Sequence, residues 1–232
     1  MVSTFSYILV CMPTVVSEYL AILRKNFNED DRESFAHVTG ATDNDLARVL
    51  AVYPDTPEEF QQLLKQVDGT WGRDYGNHEV LVYMFASDLG AEETETGDYD
   101  YPYFMNSCEQ ILDERDDSSI VDMYGDDAIE DGDVDVDPRI DPTIPMSQRL
   151  QFANCMNNGG TSQLYIDFNP TSRGVSGQII CYVHDPDAWI VLTPCFSDFL
   201  QKHIDSSCSF LPYNYELDES DYQPTTNREE QP

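Results

Sequence analysis

Carboxylates are the reactive groups this chain has in excess, and their most regular run is Asp131-Gly132-Asp133-Val134-Asp135-Val136-Asp137. Alternate carboxylates along an extended loop can point several oxygens at one hard cation, so calcium binding is the first chemistry to weigh. An EF-hand loop needs glycine at its sixth position and a bidentate glutamate at its twelfth. Starting at Asp131 puts Val136 and Pro142 there, and starting at Asp133 puts Pro138 and Ile144 there. The run offers at most a weak, opportunistic cation site, and no metal or other cofactor is expected.

Nucleophiles fare no better. Gly174-Val175-Ser176-Gly177 brings its second glycine one position too early for GxSxG, and it sits between two strands, not at a strand-to-helix elbow. His184 precedes Asp185, but adjacency along the chain does not orient an imidazole for proton transfer. His203 falls on an apolar helix face and reads as a satisfied core or rim histidine. Gly159-Gly160-Thr161 lacks the lysine of a phosphate loop. Cys11, Cys108, Cys155, Cys181, Cys195 and Cys208 form no CxxC pair. Their spacing suits neither a zinc site nor a dense secreted disulfide framework, so they read as buried thiols in a reducing compartment. Nucleophile, base and oxyanion donor cannot be assembled from these residues, and catalytic residues are not expected.

The charge balance is more informative. Among 232 residues there are 44 acids against 12 Lys+Arg, a net charge of −32. Such a polyanion is repelled by nucleic acid and anionic membranes and drawn to basic proteins. Residues 88–141 hold twenty of the acids and two arginines, Arg115 and Arg139. Within them, residues 124–142 have few apolar side chains to offset the entropy of ordering, so they are the part least expected to be rigid. At the N-terminus the apolar run 5–12 is too short to cross a bilayer, and no basic residue or cleavage site flanks it. Ile8-Leu9-Val10-Cys11 has a bulky valine where a lipoprotein box needs a small residue. A cytoplasmic location is expected, and Met12 stands as an alternative start.

Around these groups the chain alternates two periodicities. Helical stripes run over residues 14–26, from Thr42, and from Thr56-Pro57-Glu58-Glu59 through Phe60, Leu63, Leu64 and Val67. Residues 79–85 read as a strand and 108–112 as a short helix. Leu164, Ile166 and Phe168 alternate with Tyr165 and Asp167, the mark of a half-buried strand. Residues 178–183 and 189–192 follow as strands across short turns that favour antiparallel pairing, and a helix follows Pro194.

Several segments, in order, then look familiar. They are Ala41-Thr42 with residues 43–50, Tyr53-Pro54, Pro57-Glu58-Glu59-Phe60 with Leu63-Leu64, Asp68-Gly69, Tyr101-Pro102-Tyr103-Phe104 and Tyr124-Gly125-Asp126. Phe152-Ala153-Asn154-Cys155, Leu164-Tyr165-Ile166-Asp167-Phe168-Asn169-Pro170, His184-Asp185-Pro186-Asp187 and residues 196–200 continue the series. In that order they resemble the SMI1/KNR4 family of the SUKH superfamily. The resemblance implies an α+β fold with a mainly antiparallel central sheet, flanked by N-terminal and C-terminal helices and carrying a long acidic insertion around 88–141. The domain would span 30–205, after an N-terminal helical extension (1–29) and before a polar, loosely ordered tail (206–232). Bacterial members of the family resemble immunity proteins that bind toxins, and fungal members resemble regulatory scaffolds. The resemblance therefore implies a non-catalytic protein with a protein partner, and the charge makes a basic toxin the expected one. Asp126, Asp127, Glu130, Asp131, Asp133, Asp135 and Asp137 are the expected partner-binding residues.

Overall fold

The computed structural model describes residues 14–87, 102–155, 162–184 and 187–211. The apolar run 5–12 with Cys11 and Met12, residues 88–101, Gly159-Gly160-Thr161, the Asp185-Pro186 turn and the chain beyond Leu211 lie outside these.

Four helices open the fold. In α1 (Val15–Asn26) the Thr14 hydroxyl accepts from Ser17 N, and one stripe buries Val16, Tyr19, Leu20 and Leu23. Asn28 caps α2 (Glu29–Phe35) and Thr42 caps α3 (Asp43–Val52), each through a side-chain oxygen that takes an otherwise orphaned amide. The start of α4 (Glu58–Leu64) differs from the sequence expectation. Pro57 is its N-cap, because the Thr56 hydroxyl donates to Tyr53 O (2.6 Å) and closes the preceding turn instead.

The sheet follows, interrupted by short helices. Its strands are β1 (Tyr83–Ala86) and β2 (Pro102–Met105), then, after α5 (Cys108–Asp113), α6 (Ile120–Tyr124) and α7 (Asp126–Glu130), the short β3 (Asp135–Val136). A 3-10 turn (Met146–Gln148) leads into β4 (Arg149–Cys155), β5 (Ser162–Asp167), β6 (Gln178–Val183), β7 (Ala188–Thr193) and α8 (Phe196–Asp205). The order across the sheet is β1-β2-β4-β5-β6-β7-β3, antiparallel everywhere except the parallel β3–β7 pair. The fold is thus α+β with a mainly antiparallel sheet, as expected.

One face of the sheet carries the main core. Phe152, Leu164, Ile166, Ile179 and Cys181 meet Phe60, Phe196, Phe199 and the α1 stripe there. Phe85 and Phe152 cross edge to face with centroids 5.4 Å apart, and Phe152 does the same with Phe196 at 5.6 Å. Such pairs contribute about 0.5–1.5 kcal/mol beyond area burial. His203 is the satisfied core histidine expected: Nε2 accepts from Ala86 N (2.9 Å) and Nδ1 lies 2.8 Å from Phe199 O.

Three expectations change. First, residues 124–142 were expected to be the least rigid part, yet they form α7 and β3 and anchor a second apolar cluster. Ile120, Val134, Ile140 and Met146 pack there on Tyr165, Ile180, Trp189 and Val191, with Tyr124, Ala128, Ile129 and Val136 at the margin. The apolar residues are few but fall where the sheet supplies the rest, and Asp135 N→Asp187 O (3.1 Å) and Asp137 N→Trp189 O (2.9 Å) stitch the segment to β7. Second, the described part of the acidic stretch, expected as an insertion, contributes β2 and β3 to the sheet itself. Third, the assigned loose tail begins inside the core: Cys208, Phe210 and Leu211 are buried, with the Phe210 ring 5.6 Å from His203.

Candidate functional site

Among the described residues, the second cluster covers only part of the sheet's other face. The uncovered remainder is a cleft of about 390 Å³. Strand register builds its floor. Asn154 on β4 pairs with Gln163 on β5, Gln163 with Tyr182 on β6, and Tyr182 with Trp189 on β7. Because side chains alternate along a strand, these four form one transverse row on one face, and Gln151 opposite Tyr165 begins the next. The Tyr182 and Trp189 rings stack at 4.8 Å. The walls come from the acidic half of the chain and from α3: Glu114 and Asp116 after α5, Met123 and Tyr124 on α6, Met146, and Tyr53 at the end of α3. Met123, 42% exposed, marks the mouth.

The cleft's polar groups differ in how far they are spent. Arg149 at the floor faces Asp167 (3.3 Å), and its other nitrogens donate to Ile144 O (2.8 Å) and Asp141 O (2.6 Å). Burial pushes the guanidinium below its ordinary range, while Asp167 pulls the other way. Tyr182 OH donates to Asp187 (2.8 Å) and receives from Tyr124 OH (3.0 Å), and His184 Nδ1 lies 3.1 Å from the same carboxylate. Burial works against the Asp187 charge, but bonds from Tyr182 and His184 outweigh it and hold the carboxyl below its usual range. His184 therefore engages Asp187 and Tyr182, and the set holds the Tyr182 ring in place. Burial raises the Tyr165 and Tyr182 hydroxyls far out of reach of neutral pH, so they remain protonated. Two atoms are different. Asn154 Oδ1 and Trp189 Nε1 are buried without a hydrogen-bond partner among the described residues. Set in residues that are 6% and 2% exposed, they carry the cost of an unmet polar group, about 1–3 kcal/mol each.

Glu114 reaches the surface, and its Oε2 accepts from Gln151 Nε2 (3.0 Å) inside the cleft. Burial of that end raises its pKa, and neighbouring Asp113 adds to the effect.

The expected partner-binding residues lie beside this cleft. Asp126, Asp127 and Glu130 stand exposed on α7, Asp131 and Asp133 on the turn after it, and Asp135 on β3. Asp137 is set apart: Arg139 grips it with its backbone amide (2.9 Å), Nε (2.9 Å) and Nη2 (2.5 Å). Ser176 is spent on Phe168 O (3.0 Å). Among the described residues no group of three or more His, Cys, Asp or Glu could hold a metal ion, and no helix is long and apolar enough to cross a membrane. Sequence reasoning missed the floor, whose amides and aromatics are scattered over four strands. Its trace was the alternation of Tyr165 and Asp167 with Leu164, Ile166 and Phe168, read as a half-buried strand.

The family model of SMI1 / KNR4 (SUKH-1) matches residues 40–202, from the residue before α3's approach to the middle of α8. The chain belongs to the SMI1/KNR4 family. All seven described strands and the whole cleft fall inside the match, whereas α1 and α2 precede it. The SMI1/KNR4 fold is generally a non-catalytic one of the immunity type. No curated protein matches the chain.

Proposed function

We propose that this SMI1/KNR4 protein is an immunity protein that binds a basic toxin and neutralises it by covering it. The observation that carries the reading is the acidic ledge of α7 and β3, fixed to the sheet edge beside an aromatic cleft. Six exposed carboxylates on the ledge act over a Debye length of about 8 Å at physiological salt, so they steer a cationic partner before contact. The cleft then offers the desolvated aromatic surface that tight interfaces use as their centre. Family membership supports a protein partner and a non-catalytic mode.

The test begins with capture of the partner from the native cell and asks whether co-expression of this chain restores growth to cells making it. Association is then followed across a salt series for wild type and for a variant with Asp126, Asp127, Glu130, Asp131, Asp133 and Asp135 changed to Asn or Gln. Wild-type association slows as salt rises, and the variant starts slower with a flatter dependence. Each exposed pair contributes only about 0–1 kcal/mol to the final complex, so dissociation changes little. Equal rates and salt slopes, or a partner that is harmless to the cell, would overturn the proposal.

A further inference from the structure

Asn154 Oδ1 and Trp189 Nε1 are one acceptor and one donor, both buried, both lining the cleft, and both unmatched among the described residues. They stand at the two ends of the row that crosses β4, β5, β6 and β7. Three interstrand spacings of about 4.8 Å put their backbones roughly 14 Å apart. No single small polar group spans that gap. An extended residue with a long side chain does, with its carbonyl at one end and its terminal donors at the other.

We infer that the cleft is an anchor site for one arginine of the basic partner, whose guanidinium meets Asn154 Oδ1 and Glu114 while a backbone carbonyl beside it accepts from Trp189 Nε1. This rests on the immunity reading and names its central contact. Three features select arginine. The stacked Tyr182–Trp189 pair, at the end of the row away from Asn154, supplies a flat aromatic floor along which the residue's backbone and aliphatic stem lie. Glu114, Asp116 and neighbouring Asp113 make the wall anionic. The two described arginines nearest the cleft do not fill the place: Arg149 is committed to Asp167 and two carbonyls, and Arg115 lies over Tyr53, 6.0 Å from the ring centre. An unpaired acceptor and donor hidden from water also discriminate strongly, because a ligand lacking the complementary groups leaves them unsatisfied.

The chain has two tryptophans, so the full protein gives two indole N–H signals in a nitrogen–proton spectrum. Trp71 Nε1 already donates to Asn106 Oδ1 (2.9 Å) and serves as an internal reference. The probe is acetyl-Gly-Arg-Gly-amide, titrated against the same peptide with citrulline, which keeps the shape and removes the charge. The Trp189 indole proton shifts downfield and saturates with the arginine peptide, while the Trp71 signal stays put. Citrulline weakens binding about tenfold or more, as expected when a charge-assisted hydrogen bond becomes a neutral one. Glu114→Gln weakens the arginine peptide about threefold, the scale of a part-exposed ion pair, and Asn154→Leu weakens it further. Glu114 sits at the rim, so its variant folds even if the buried Asn154 change does not. A motionless Trp189 signal, or equal binding of both peptides, would overturn the inference. A Trp189 response without any basic toxin in the cell would leave the anchor site standing and remove the immunity reading. A neutralised basic toxin that leaves the Trp189 signal unmoved would do the reverse.

Discussion

Replacing Asp167 by Asn tests the buried charge pair that ties the cleft floor to the acidic segment. Arg149 and Asp167 are register partners on β4 and β5, and both side chains have no exposed surface. Asn keeps the shape of Asp167, whose oxygens accept from Asn169 N (3.1 Å) and Gln178 Nε2 (3.0 Å) besides Arg149. Among the described residues it removes the one carboxylate in contact with the guanidinium, leaving a buried cation met by the Ile144 and Asp141 carbonyls and the Met146 sulfur. Orphaning one member of a buried pair costs about 3–5 kcal/mol. For a chain of this length that lowers Tm by roughly 6–20 °C. Arg149→Met alone should cost a similar amount, because it strands the Asp167 charge and two carbonyls. The double variant carries neither charge, so its loss falls short of the sum by about 2 kcal/mol or more. Urea and thermal unfolding followed by circular dichroism measure all four proteins. Since Arg149 holds the Asp141 and Ile144 carbonyls, amide exchange over residues 120–146 should quicken in the single variants. Additivity within about 0.5 kcal/mol, or a loss under about 1 kcal/mol in Asp167→Asn, would refute this account.

Two more outcomes follow from named groups. Hydrogen bonds from Arg139 hold the Asp137 carboxyl below its ordinary value, against the opposing effect of burial. A depressed folded pKa stabilises above the unfolded pKa near 4 and is lost as pH falls through the lower folded value. Wild type should therefore exceed Asp137→Asn by about 1 kcal/mol or less at pH 7, with the gap closing between about pH 4 and pH 2, read from urea midpoints. Burial raises the thiols of Cys108 to about 11 and of Cys181 and Cys208 to about 12. At pH 8 in the native protein Cys195, which is only partly buried, should alkylate ahead of these three, and denaturation without reductant should equalise them. Equal native rates would contradict the burial.

Local pattern determined a large part of this protein. The Val16-Tyr19-Leu20-Leu23 stripe, the Thr42 cap, the β5 and β6 alternation and the apolar face of α8 each follow from neighbours three, four or two positions away, so they are legible without the fold. The net charge likewise pointed to a basic partner. The acidic stretch was misread for a physical reason. Val134, Val136 and Ile140 are too few to bury themselves, and only the exposed half of a sheet built from later residues gives them a surface to cover. The same covering turned the polar side of β5 from a solvent face into a buried one. Asn154, Gln163, Tyr182 and Trp189 lie far apart along the chain and carry no shared local spacing. Only strand register, set by pairing across four strands, lines them up, and only the partial cover leaves two of their polar atoms buried without a partner among the described residues.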